Sequence, residues 1–83
     1  MRNGVGRLTF LELAVLVLED SQEPLSYREI WGIALTRGYV GRLGSYGATP
    51  WVTLRAILGR ETASGSRSRI VTHPGKPARF SLR

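Results

Sequence analysis

The chain has 83 residues, 42% of them hydrophobic and 22% charged, a composition that sets one small domain and argues against intrinsic disorder. It has no cysteine, which excludes a disulfide framework and a thiolate zinc site, and its apolar run from Leu11 to Leu18 falls far short of the roughly 20 residues that a membrane span needs. The net charge of +6 is unevenly placed, residues 1–35 summing to −2 and the remainder to +8, which favours an anionic partner for the second half over a basic surface kept only for solubility.

Residues 1–8 hold two glycines and read as a flexible leader; residues 9–83 form the domain. Thr9 stands three before Glu12, the spacing of a capping box, in which each side chain takes up the other's free backbone amide. A first helix follows from Phe10 to Asp20. Its apolar residues cover more than one stripe, as expected of a central core helix; a face of Leu13, Leu16 and Val17 left over for a partner is the alternative. Pro24 ends the helical stretch, and Leu25 supplies one strand residue to pair with a later hairpin. Ser26 and Glu29 repeat the capping-box spacing, with Tyr27, Ile30, Ile33 and Ala34 as the inward stripe of a second helix that stops at Gly38.

The glycine-rich segment 38–48 is long for a connection between helices. Its glycines suit a compact turn, or a close approach of backbone to phosphate. Thr49 and Pro50 then open a third helix, a hydroxyl cap followed by proline at the position that needs no amide donor. At 100° per residue Leu54, Ile57 and Leu58 face the core, while Val52, Arg55, Ala56, Gly59 and Arg60 face away. Small or basic outward residues suit a helix lying in a major groove about 12 Å wide. Gly59 weakens the helix and points to an end near Glu61. A polar loop over 63–68 leads to a strand at Arg69–His73 with Ile70 and Thr72 inward, then a turn over 74–77 and a second strand with Phe80 and Leu82 inward. Three helices and a C-terminal hairpin make a mainly α protein with a small β-hairpin, the pattern of a winged helix-turn-helix with its third helix toward DNA.

Catalysis finds no support. His73 is the single histidine, too few ligands for a usual zinc site, so no metal and no cofactor is expected. Glu12 and Glu29 are explained as caps, no spacing links serine, histidine and acid as a triad, and no phosphate-binding GxxxxGK[ST] loop occurs.

The blocks Leu8–Ala14 (Leu-Thr-Phe-Leu-Glu-Leu-Ala), Pro24–Ile30 (Pro-Leu-Ser-Tyr-Arg-Glu-Ile), Ala48–Leu58 (Ala-Thr-Pro-Trp-Val-Thr-Leu-Arg-Ala-Ile-Leu) and Ala78–Arg83 (Ala-Arg-Phe-Ser-Leu-Arg) together resemble the HARE-HTH family. That family comprises winged helices shared among restriction endonucleases, Additional-sex-combs-like chromatin proteins and the delta subunit of bacterial RNA polymerase. The resemblance implies a recognition module for double-stranded DNA, sensitive to base modification such as 5-methylcytosine. It also implies an N-terminal domain of a larger protein, a nuclease among the candidates, set in the bacterial cytoplasm on the nucleoid. The isolated domain is expected as a monomer, with dimerisation open for the parent. Two departures from the family pattern stand out: the glycine content of residues 38–48, and Trp51 where a polar residue is usual.

On the DNA hypothesis Arg55 is the candidate base reader, since a guanidinium pairs with guanine O6 and N7 in a bidentate way, and Arg60, Arg69, Lys76 and Arg79 neutralise phosphates. Thr49 offers its cap and the helix amides to phosphate. Trp51 is either an edge-of-core aromatic or a base contact, and Val52 and Ala56 are placed to meet a pyrimidine methyl group. Thr53 and the loop residue Arg67 complete the set. The competing function is a protein-interaction module of a transcription or chromatin complex using the apolar face of the first helix. RNA binding lacks the aromatic platform that single-strand readers use.

Overall fold

The computed structural model describes residues 8–44, 47–63 and 68–83. The expected leader apart from Leu8, two residues of the glycine-rich segment, and Arg67 with most of its loop lie outside the described residues.

Three helices, α1 (Phe10–Glu19), α2 (Tyr27–Thr36) and α3 (Pro50–Thr62), pack on one another and are followed by an antiparallel hairpin of β1 (Ile70–His73) and β2 (Arg79–Leu82). The order is that of a winged helix-turn-helix. Both capping boxes form: Thr9 Oγ1 accepts the Glu12 N–H while Glu12 Oε1 accepts the Thr9 N–H, and Ser26 and Glu29 do the same. Their N-cap residues are extended, with ψ of 165° and 164°, which aims each hydroxyl at the third amide of its helix.

Thr49 breaks that pattern. Its ψ of 67° turns the side chain away, and its hydroxyl makes no capping hydrogen bond. Proline at the first position starts α3 without it, as its fixed φ permits.

α1 is the centre of the molecule. Leu13, Ala14, Val15, Val17 and Leu18 are all buried, joined by Ile30, Trp31 and Ala34 of α2, Leu54 and Leu58 of α3, and Ile70 and Phe80 of the hairpin. This removes the partner face expected on the first helix: Leu13 and Val17 are 0% and 1% exposed, so only Leu16 of that trio reaches the surface. The stacked rings of Phe10 and Trp31, with centroids 6.3 Å apart, extend the core between α1 and α2. Ile57, expected inside, sits half-buried at the core margin.

Leu8 is tied down through its N–H, which donates to the Arg42 carbonyl at 2.7 Å. α2 ends with Gly38 in the left-handed region at φ 79°, the residue and conformation that commonly follow a helix. Beyond it comes one 3₁₀ turn, Tyr39–Arg42, which buries Val40. An exposed ion pair between Arg37 and Asp20 joins the ends of α2 and α1; such pairs add little stability. Hydrogen bonding by Tyr39 and then Asp20 raises the Arg37 pKa further.

The hairpin is in register Ile70↔Leu82, Val71↔Ser81, Thr72↔Phe80 and His73↔Arg79. Leu25 bridges Phe80 from the other side, its N–H donating to the Phe80 carbonyl at 2.9 Å and its carbonyl accepting the Phe80 N–H at 2.7 Å. β2 is therefore the middle strand and β1 the edge. That order explains Thr72, which is exposed and not inward as its alternation suggested: Phe80 reaches the core beside Leu25, while its edge-strand partner lies one strand farther out. Ser68, buried before β1, accepts the Ile70 N–H at 3.0 Å and lies within 3.0 Å of both Glu61 Oε2 and the Ile70 carbonyl oxygen, either of which can take its proton. No helix among the described residues is long and apolar enough to cross a membrane.

Candidate nucleic-acid interface

The burial pattern of α3 fixes which side chains it presents. Pro50, Leu54 and Leu58 are buried and Trp51 packs against the core margin, leaving Val52, Thr53, Arg55, Ala56, Gly59 and Arg60 exposed. This is the outward set expected from the helical period. Val52, half exposed, is one of the two large apolar side chains left most open to solvent. The Trp51 ring is an edge-of-core aromatic rather than a free one.

Beside this face is a cleft of about 400 Å³ lined by Tyr27, Arg55, Gly75, Lys76, Pro77, Ala78 and Phe80. Its walls come from three elements. The Ser26 capping box starts α2 so that Tyr27 and Arg28 occupy its first turn; α3 contributes Arg55; and the hairpin turn, with its cis Lys76–Pro77 peptide, contributes Lys76. The Tyr27 ring is the meeting point. The Arg28 and Arg55 guanidinium carbons lie 5.8 Å and 5.9 Å from its centroid, within the range of an attractive cation–π contact. Arg28 Nε also donates to the Tyr27 hydroxyl at 3.4 Å. That hydrogen bond, and then the charges of Arg28 and Arg55, hold the phenol below its ordinary pKa against the opposing effect of desolvation.

Of the expected cations, the cleft unites Arg55 and Lys76. Arg60 is exposed farther along α3. Arg79 lies near enough to Glu29 to help lower its pKa, behind the stronger effect of the Ser26 N–H, so a carboxylate shares its field. Arg69 belongs elsewhere. It lines a separate groove of about 360 Å³ with Leu11, Glu12, Leu16, Glu19, Arg42 and Glu61 among its neighbours, where three glutamates offset the arginines. Thr49 is exposed at the start of α3, and Arg67 lies outside the described residues.

The residues missed from sequence are Tyr27 and Arg28. Tyr27 had a place in the inward stripe of the second helix, yet it is half-buried and offers its ring to two arginines. The signal was present in the capping box, because the first two helical residues after an N-cap lie at the rim, where a side chain need not enter the core. His73 Nε2 lies 2.8 Å from Ser81 Oγ on the hairpin, and among the described residues no group of three or more His, Cys, Asp or Glu is placed to hold a metal ion.

No curated protein and no solved structure matches the chain. The HARE-HTH family model, described as an HTH domain of ASXL proteins and restriction endonucleases, does match it, over residues 8–82. That match takes in all three helices, the cleft and nearly the whole hairpin, and with it the chain belongs to the HARE-HTH family of DNA-binding winged-helix domains.

Proposed function

We propose that the domain binds duplex DNA with α3 in the major groove and the hairpin turn against the adjacent backbone or minor groove. One observation carries this reading: elements far apart in sequence deliver Arg28, Arg55 and Lys76 to a single cleft, directly beside a helix face whose other exposed residues include the compact Val52, Thr53 and Ala56. A helix must approach base edges closely to read them, and short side chains allow that approach while the flanking cations hold phosphates. Arg60 and Arg79 extend the cationic margin. By analogy with the family, the domain serves as the recognition part of a larger protein, a restriction endonuclease being the first candidate, and reads cytosine modification. Val52 and Ala56 are the exposed apolar residues suited to a 5-methyl group, as to a thymine methyl.

Fluorescence anisotropy with paired duplexes, plain and 5-methylcytosine-substituted, titrated across several salt concentrations tests the proposal. Engagement of about five phosphates gives a log–log slope near −4 to −5, with the methylated duplex bound more tightly. Absence of binding at low salt would sink the DNA reading. Equal affinity for the two duplexes would remove modification sensing and leave the DNA reading in place.

A further inference from the structure

We infer that Arg55 is a phosphate contact held in place by Tyr27, and that bases are read by the uncharged residues Val52, Thr53 and Ala56. The inference deepens the DNA-binding proposal and rests on it. An arginine that reads guanine must project its guanidinium from the helix toward the groove floor, where O6 and N7 lie side by side. Arg55 is directed otherwise: its guanidinium leans across to α2 and sits 5.9 Å from the centroid of the Tyr27 ring. Drawing it into the groove gives up that cation–π contact.

Its neighbours define the ligand. Arg28 approaches the same ring at 5.8 Å, and Lys76 lines the same cleft from the hairpin turn. Three cations around one aromatic ring repel one another until an anion stands among them. The cleft flanks the exposed face of α3, where a duplex backbone passes when the helix lies in the groove, so the matching anion is a backbone phosphate. Tyr27 is then a positioning residue: it orients Arg55 through its ring, and Arg28 through both ring and hydroxyl.

With Arg55 committed to the backbone, the exposed side chains left in the middle of α3 are Val52, Thr53 and Ala56. Two methyl-bearing apolar residues and a hydroxyl favour contact with a pyrimidine methyl group over the two acceptors of guanine.

The test is selection of bound duplexes from a randomised pool by the wild-type domain and by Arg55→Ala, with salt titrations of each on the same duplexes. Arg55 is exposed, so its replacement leaves the fold intact, and thermal unfolding verifies that. The expected result is an unchanged sequence preference, a uniform affinity loss of roughly tenfold or less, and a salt slope shallower by about 0.9. Tyr27→Leu is expected to reproduce the shallower slope and to add little when combined with Arg55→Ala, whereas Tyr27→Phe, which keeps the ring, retains the wild-type slope. Val52→Ser is expected to change the selected sequence without altering the slope.

Loss of a guanine from the preferred sequence in Arg55→Ala would overturn the inference, as would an unchanged slope in that variant. A wild-type pool with no enrichment would overturn the base-reading half. A wild-type domain without salt-dependent binding removes the DNA reading itself and the inference with it, an outcome seen before any variant is compared.

Discussion

Gly38 and Gly59 are both exposed, and at both an added Cβ would meet no atom within 4 Å, yet they should respond to alanine with opposite sign. Gly38 sits at φ 79°, where an L side chain crowds its own backbone, so Gly38→Ala should destabilise by about 1 kcal/mol or somewhat more. Gly59 lies within α3, where alanine lowers the backbone entropy lost on folding, so Gly59→Ala should stabilise by about 1 kcal/mol. Thermal unfolding separates them, with midpoints moving by about 4–8 °C per kcal/mol in opposite directions. The helix-stop role of Gly38 was legible because left-handed backbone after a helix has a strong residue preference. Tyr27 was not, since an aromatic at helical spacing fits a core stripe and a rim equally well until the partners of its ring are known.

At the scale of elements, the three helix starts have the same outward look in sequence, a hydroxyl residue before the first turn, and only two of them use it. Ser26→Ala should cost about 1 kcal/mol, because the Glu29 amide loses its acceptor. Thr49→Ala should stay within about 0.5 kcal/mol, the range of ordinary surface changes, because no capping bond exists to lose. Denaturant midpoints of the two variants measure the contrast. The α2 box also carries a pH signature. Glu29 accepts the Ser26 N–H, and chiefly for that reason its carboxyl titrates below its ordinary value of 4.5, with Arg79 adding to the effect and desolvation opposing it. A depressed carboxylate pKa contributes stability that is present above the unfolded value and is lost as pH falls through the folded one. The stability gap between wild type and Glu29→Ala should therefore be widest above pH 4.5 and narrow progressively below it. The spacing of the boxes was legible because it is local. The 3₁₀ turn at Tyr39–Arg42 was not, since four residues are too few to establish a period.

For the whole molecule, Phe80 is the residue on which the hairpin and the helical core meet: it is buried, bridges Leu25 and lies beneath the Arg55–Lys76 cleft. Phe80→Ala should cost about 3–5 kcal/mol, a large share of the roughly 5–15 kcal/mol available to a small domain. Equilibrium denaturation should show that loss, and DNA affinity should fall with the folded fraction. The three-helix and hairpin arrangement was legible at this scale because caps, proline and alternation each mark a boundary independently. Assigning charge to the interface was less successful, for a geometric reason: halves of a sequence are not faces of a fold. Arg42 and Arg69 contribute to the basic second half, but folding sets them beside Glu12, Glu19 and Glu61, on a groove apart from the cleft. Arg28, from the acidic half, lies at the cleft instead.

The paired hydrogen bonds between Leu25 and Phe80 turn the cleft into a calliper. One jaw begins two residues after Leu25, at Tyr27; the other ends three residues before Phe80, at Pro77, with Lys76 next to it. Both jaws are thus hinged on a single residue pair, and their gap is set when the chain folds. A recognition tip free to swing would have to be immobilised at each encounter with a ligand, at an entropic cost to every binding event. Here that ordering belongs to folding, and the molecule meets its partner with the spacing between helix and wing already fixed.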